Sequence, residues 1–323
     1  MIMSGRSGCD FVVGVVAIFM ALGAQAQTWP AKPVRVVVPF APGGGADLTA
    51  RPVAQKLTEH LGQQFVVDNR GGAAGAIGME IVAKSPPDGY TIMVISSSYS
   101  ATPATHKLPF DLFASTTPVV EVGNTPSVLV AHPSLPVRTT RGLIDLARAR
   151  PGQLSYASTG IGGATHLVTE LFASMAKIEM VNVPYKSTGL AVVDVMAGNC
   201  QLMVGSLLGT VNHVRAGKLR ALAVTSAQRW HSLPEIPAVA ETLPGYETVV
   251  WYGVWVRRGT PQPIVERLNA TVNRILEDSD IKNWLGKQGM AASGGAPARL
   301  EGRAKKDYER WVKVVKERNI RIE

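Results

Sequence analysis

Val34-Arg-Val-Val-Val-Pro-Phe-Ala-Pro-Gly-Gly-Gly-Ala-Asp47 reads as a single structural unit. The β-branched run Val34–Pro39 suits a buried strand. Ala41 to Gly45 is too rich in glycine and proline to extend it and reads as a tight loop. A helix is expected from about Asp47 to Leu61, with Asp47 as its N-cap. A strand feeding a helix through such a loop opens a parallel α/β layer. Pro52, a few residues into that helix, removes an intrahelical bond and predicts a kink or a 3₁₀ start near Ala50–Arg51.

The alternation continues outward from this unit. Phe65–Asp68 is the next strand, followed by a second glycine-rich stretch, Gly71-Gly-Ala-Ala-Gly-Ala-Ile-Gly78, and a helix through Met79 to Ala83. Tyr90–Ile95 is a strand that runs into Ser96-Ser97-Ser98. In the middle third, strands are expected at Val128–Ala131, Leu154–Ala157, Val181–Pro184, Gln201–Gly205 and Leu219–Thr225. Helices alternate with them: one capped by Thr140 and stopped by Pro151-Gly152, one with Leu167, Leu171, Phe172 and Met175 on a single face, then Leu190–Ala197 and Thr210–Ala216. The last third reads as mainly helical, with Ile264, Leu268, Val272, Ile275 and Leu276 at helical spacing and a shorter helix around Ile281–Leu285. The final helix carries Leu300, Ala304, Tyr308, Trp311 and Val315 on one face, and its Lys and Arg residues form a solvated outer face.

At 323 residues the chain exceeds one comfortable core, which favours two lobes. Its net charge of +9 suits an anionic partner. Acidic residues interleave the basic ones, and no Arg–aromatic pattern occurs, so no nucleic acid is expected. Arg6 followed by the apolar run Phe11–Ala24 and then Ala24-Gln-Ala26 reads as a secretory signal peptide cleaved near Ala26. That run is shorter than the roughly 20 residues needed to cross a bilayer. Cleavage removes Cys9 and leaves Cys200 alone, so the mature fold must be held by its core without a disulfide.

Three loops could hold an anion: Phe40–Asp47, Ser96–Ser98 and Ser158–Thr165. In open parallel sheets ligands bind beyond the carboxyl ends of strands, where helices begin. Glycine lets backbone N–H groups converge there, Ser and Thr add hydroxyls, and the helix start adds partial positive charge. Neither glycine stretch matches a dinucleotide or P-loop pattern, and no cofactor is expected. No G-x-S-x-G, H-E-x-x-H or Cys/His ligand spacing occurs, so neither an enzyme nor a metal site is expected. His166, directly after Thr165, suits orienting the loop or capping its helix. A Ser158–His166 nucleophile pair would lack an acid partner.

The ordered set of motifs resembles the Bug family, the extracytoplasmic solute receptors of tripartite tricarboxylate transporters. It runs through Val34–Gly44 with Asp47, Asp68-Asn69-Arg70, Gly75-Ala-Ile-Gly78 and Pro87-Asp-Gly-Tyr-Thr91. It continues through Leu108-Pro-Phe-Asp111, Tyr156-Ala-Ser-Thr-Gly160 with His166-Leu167, Val183-Pro-Tyr-Lys186 and Gly217–Val224, and on to Pro244-Gly-Tyr246, Trp251 and Gly259-Thr-Pro261. The resemblance implies a periplasmic-binding-protein-like α/β fold: two lobes joined by crossing hinge strands, with a ligand cleft between them. It divides the chain into a signal peptide (1–26), a first lobe (27–125 and 228–323) and a second lobe (126–227).

It also implies ligand-binding roles for Phe40, Ala41, Gly43, Gly44 and Asp47 on one side, and for Ser158, Thr159, Gly163, Thr165 and Tyr185 on the other. Ser97 and Ser206 are expected to face the cleft from Ser96–Thr105 and Gln201–Ser206. The chain departs from the family pattern at Gly71-Gly72, Tyr185-Lys186-Ser187 and Asn199-Cys200, and its Ser96–His106 segment lacks the usual Asn-Pro. The implied partners are a small carboxylate and the membrane permease subunits of a tripartite transporter, with the receptor itself a monomer. The same module could instead serve a signalling pathway as a sensor, and a periplasmic hydrolase is the further alternative. Micromolar capture of a small diacid needs about 8 kcal/mol, which one exposed loop cannot supply, so the lobes are expected to close over the ligand.

Overall fold

A computed structural model describes residues 29–318 and 320; the expected signal peptide and its cleavage near Ala26 lie outside the described residues. The chain divides into two units, Met1–Ala31 and Lys32–Glu323, and the fold and the site belong wholly to the second.

The first lobe begins with three parallel strands, β1 (Val34–Val38), β2 (Phe65–Asn69) and β3 (Thr91–Ser96). The helices α1 (Gly45–Leu61) and α2 (Ala76–Ala83) make the crossovers between them. Helix α3 (Ser98–Thr105) and the single turn α4 (Leu112–Ser115) lead into β4 (Thr116–Ala131), which is sixteen residues long. Further on come α5 (Thr140–Ala149), β5 (Ser155–Ser158), α6 (Ala164–Ala176), β6 (Val181–Pro184), α7 (Thr188–Met196), β7 (Leu202–Ser206), α8 (Leu207–Arg215) and β8 (Arg220–Val224). The chain then returns through β9 (Val249–Arg257), α9 (Gln262–Glu277), α10 (Ser279–Lys287), β10 (Ala291–Ala292) and α11 (Pro297–Glu317).

Among the described residues the strands order β2-β1-β3-β9-β4-β7-β5-β6, with β8 and β10 paired to β4. β4 therefore belongs to both lobes. Its first part pairs antiparallel with β9, from Thr116–Arg257 to Pro126–Val249. Its last part, Ser127–Ala131, pairs with β7 and with β8. The parallel strands β5, β6 and β7 make the second lobe a smaller copy of the first in style.

The second lobe buries apolar side chains on both faces of its sheet. Leu143, Leu167, Phe172 and Tyr156 fill one face, joined by Tyr246, Trp311 and Val314 from the returning chain. Val192, Val195, Met203, Leu207 and Val211 fill the other, joined by Leu233 and Ile236. The final helix thus straps the lobes together. Near its start, Ser100 Oγ donates to the Ala304 carbonyl at 2.8 Å; at its end, Arg318 holds Glu170 of α6 at 3.0 Å.

Several local expectations need correction. The residue capping α5 is Thr139, whose hydroxyl accepts from Gly142 N–H at 3.0 Å, not Thr140. α1 starts at Gly45 with Gly44 as N-cap and continues as α-helix through Pro52, so no 3₁₀ start occurs. Asp47 lies in the first turn rather than at the cap. On α11, Val315 packs against the core as expected, partly covered, and Val314 beside it is buried as well.

Glu121 lies in the middle of the shared strand with its side chain fully buried. Arg303 of α11 donates to it at 2.7 Å, Ser293 at 2.8 Å and Asn124 at 3.3 Å. Removing the cation would leave a buried charge with only neutral donors. Arg303→Met is expected to cost about 3 kcal/mol in urea denaturation, with most of it recovered in the double variant carrying Glu121→Gln. A loss below about 1 kcal/mol would show that this pair is not what ties α11 to the shared strand.

Candidate functional site

The carboxyl ends of β1, β3, β5 and β7 converge on a buried space between the lobes. Gly44, Gly45 and Ala46 at the start of α1 line it, with Ser96 and Ser98 at the start of α3. From the second lobe come Thr159, Ala164 and Thr165 at the start of α6, Thr188 of α7 and Ser206 before α8. Phe40 and, from β9, Val250 and Tyr252 complete it. No ionised side chain lines this inner space among the described residues. The room open to the centres of water-sized atoms is about 40 Å³.

An outer compartment of about 340 Å³ adjoins it, sharing Phe40 and Thr159. Gly72–Gly75 and His106 line it from one lobe, and Gly160, Ile161, Pro184, Tyr185 and Lys186 from the other. Ala73 and Ala74 hold φ of 46° and 51°, a left-handed conformation that costs a non-glycine residue energy and that clusters at ligand sites.

The loop after β1 is held from beneath. The Asp47 carboxylate, 2 % exposed, accepts from Gly43 N–H at 2.9 Å and from Arg51 Nε at 3.0 Å. Burial pushes this carboxyl up, but Arg51, the Gly43 N–H and Asn69 outweigh it and hold it below the ordinary carboxylate range. Asn69 in turn donates to the Phe40 carbonyl at 3.0 Å. Gly43, at φ +82°, makes the turn, and Ala41 is half-buried beside Gly71, whose lack of a Cβ lets the two loops meet.

The loop after β5 is held from behind. Thr159 N–H donates to Thr165 Oγ1 at 2.7 Å, and the two hydroxyls lie 2.9 Å apart. Gly163 is the N-cap of α6, and Ser158 is fully buried at the end of β5. Gly162 N–H donates to His166 Nδ1 at 2.8 Å, which fixes the imidazole as the neutral tautomer with its proton on Nε2. Nε2 faces Glu170 at 4.0 Å. Neither ring nitrogen is free to act as a base on Ser158. Glu170 is itself held by the Tyr156 hydroxyl at 2.7 Å and by Arg318.

The lobes touch around the inner space. Ser206 Oγ and Tyr252 OH lie 2.7 Å apart, and Thr105 Oγ1 donates to the Gly162 carbonyl at 2.9 Å. A Cβ at Gly45 would collide with the Tyr252 hydroxyl, so glycine at that position lets the phenol sit against the start of α1.

Of the residues expected from sequence, Phe40, Gly44, Thr159, Thr165, Tyr185 and Ser206 line one compartment or both. Ala41, Gly43, Asp47, Ser158 and Gly163 shape the two loops. Ser97 is buried between the lining residues Ser96 and Ser98. The Tyr185 hydroxyl is turned onto Asp194 and lies 3.5 Å from Cys200 Sγ. Burial and that carboxylate keep the phenol protonated, well above its ordinary range. Two departures from the family pattern thus have local roles: Asn199 donates to Asp194 at 2.8 Å, and Ser187 caps α7. Tyr252, Val250 and Thr188 were missed, although the β-branched and aromatic run Val249–Trp255 carried a strand signal.

Two α/β lobes sharing the long strand β4, with helix starts from both facing one space that Ser and Thr residues help to line, define a two-lobed solute-binding protein. The family model of the tripartite tricarboxylate transporter family receptor matches residues 49–320, and the chain belongs to that family, whose members are periplasmic proteins. Protein BugT of Bordetella pertussis is 34% identical over 323 residues, covering 96% of this chain and 98% of BugT. The R. palustris protein Rpa4515, solved with adipate, superposes with a TM-score of 0.88 at 38% identity, covering 91% of this chain and 99% of its own. MatC from Rhodopseudomonas palustris, solved with bound malate, gives 0.85 at 30% identity over 89% of this chain and 100% of its own.

Burial lowers the pKa of His166, with Glu170 opposing the shift. The unfolded chain therefore takes up this proton at a higher pH than the fold does. The contribution is fully present above about pH 6.5 and is lost as pH falls through the folded value. Protonation also removes the lone pair that Gly162 N–H uses. The melting temperature should fall between pH 7 and 5, and His166→Asn, which keeps an acceptor near the Nδ1 position, should flatten that slope. An unchanged slope in the variant would exclude His166 as its source.

Proposed function

We propose that the protein is a periplasmic receptor that captures a small carboxylate between its lobes and delivers it to the membrane permease subunits of a tripartite transporter, without chemical change. Residues 1–26 serve as the export signal, cleaved near Ala26. The hinge lies where β4 and β9 pass between lobes, with 27–125 and 228–323 as the first lobe and 126–227 as the second. The segment Leu233–Tyr246 and the end of α11 ride on the second lobe's core.

The convergence of helix starts from both lobes on a space lined by neutral donors carries this reading. Each helix start contributes roughly 0.3–1 kcal/mol toward an anion when solvated and up to about 2 kcal/mol when partly buried. Several acting together in a water-poor space can hold a carboxylate without a cation. The adipate and malate bound by relatives at 38% and 30% identity support the same ligand class.

Phe40, Gly44, Thr159, Thr165, Tyr185 and Ser206 would touch the ligand, while Ala41, Gly43, Asp47, Ser97, Ser158 and Gly163 hold their loops in place. Thr159→Val should weaken carboxylate binding about tenfold in calorimetry, the worth of one hydrogen bond to a charged group. Its unliganded melting temperature should change little. Thr165→Ala should weaken binding and also lower stability, since it leaves Thr159 N–H without its acceptor. A thermal-shift panel of mono-, di- and tricarboxylates should raise the melting temperature; no shift with any carboxylate would overturn the proposal.

A further inference from the structure

Only one face of β9 meets the ligand space, where Val250 and Tyr252 line it. With the strand period of two, their neighbours point the other way, toward α11. Trp251 Nε1 donates to Asp307 of α11 at 2.7 Å, and Val249 lines a separate cavity behind the crossing strands. Glu247 and Thr248 line it beside Val249, and α11 faces them with Arg303, Lys306 and Arg310. The room there for the centres of water-sized atoms is about 200 Å³. It shares no lining residue with either compartment of the cleft.

The two walls of this rear cavity are fixed to different lobes. Thr248 N–H donates to the Thr225 carbonyl at 2.8 Å, and Thr225 Oγ1 donates to the Thr248 carbonyl at 2.9 Å. Tyr246 OH donates to the Val168 carbonyl at 3.0 Å, so Glu247 is carried by the second lobe. On the facing wall, Arg303 donates to Glu121, and Ser100 holds the Ala304 carbonyl at 2.8 Å, which fixes this stretch of α11 to the first lobe. In front, the lobes touch where Thr105 Oγ1 donates to the Gly162 carbonyl. A rotation about β4 and β9 that parts them there brings the walls behind together. Arg303 is already paired with Glu121, and Arg310 lies 3.8 Å from Asp307. Glu247 and Lys306, both exposed, are left without an ion pair among the described residues.

We propose that the rear cavity counterbalances the cleft: it narrows as the cleft opens, Glu247 then approaches Lys306, and this contact holds the empty receptor open and sets how tightly solute is captured. This rests on the receptor reading. Apparent affinity is reduced by the fraction of molecules in the binding-competent form. A contact that favours the narrowed cavity therefore weakens capture without touching the solute, and a side chain that props the cavity apart strengthens it.

The test is calorimetry with adipate and with malate on the mature chain, together with small-angle scattering of the unliganded protein. Val249→Trp fills the cavity and should tighten binding about tenfold, within the range that burying one large side chain supplies. Glu247→Gln should tighten it about threefold, the scale of an exposed ion pair. In both variants the unliganded radius of gyration should fall toward that of the ligand-saturated wild type. Affinity at or below the wild-type value in either variant, or tightening with unliganded scattering unchanged, would overturn the proposal and leave the receptor reading intact. Should Val249→Trp not fold, Glu247→Gln, at an exposed position, decides alone. If neither acid binds the wild type, the receptor reading loses its support, and the scattering comparison by itself decides the hinge claim.

Discussion

The antiparallel pairing of β4 with β9 is the constraint on which the rest of the molecule depends. Beyond that pairing β4 runs on to pair with β7, which gives both lobes a common spine, so the carboxyl ends of β1 and β3 and those of β5 and β7 arrive at the same place. Tyr252 stands on that spine and reaches Ser206 at the start of α8, while its hydroxyl presses on the glycine that opens α1. Glu121, farther along β4, anchors α11 through Arg303. Strands running continuously between two lobes allow bending at the crossing point without breaking either sheet, which is the mechanical requirement for a hinge.

Holding an anion with dipoles rather than with a cation has a physical consequence. Each N–H or hydroxyl is weak, so the sum is large only when all of them point at one position and water is excluded. An open cleft supplies half of the set and a closed one supplies all of it. In the proposed receptor, closure and binding would then be one event, with the contacts made only in the closed state setting the affinity. The supporting bonds beneath the loops, from Asp47 to Gly43 and from His166 to Gly162, fix the donors before the ligand arrives and reduce the entropy lost on binding.

Much of this was legible in the sequence, for identifiable reasons. Buried strands write themselves as short apolar runs, so β1, β3 and β7 fell within a residue or two of expectation. Glycine and hydroxyl residues at strand ends pointed to the loops that line the inner space. The shared strand was less legible. Only Val128–Ala131 of β4 was expected, and Pro118, Gly123 and Pro126 interrupt the strand pattern before it. Register shifts between Pro118 and Val120 and between Glu121 and Gly123 absorb two of these breaks. The cap was misplaced by three residues, at Asp47 instead of Gly44, since a first-turn carboxylate that reaches back to Gly43 looks like a cap from sequence alone. Tyr252 could not be assigned to the site from composition, because its role comes from contacts between segments distant in sequence.

Amide nitrogen–proton shifts during titration with a small diacid test the central claim most directly. The account predicts that the amides of Gly44, Gly45 and Ala46 in one lobe and of Thr159, Thr188 and Leu207 in the other move together, along one binding isotherm. Shifts confined to a single lobe, or two isotherms of different midpoint, would contradict it.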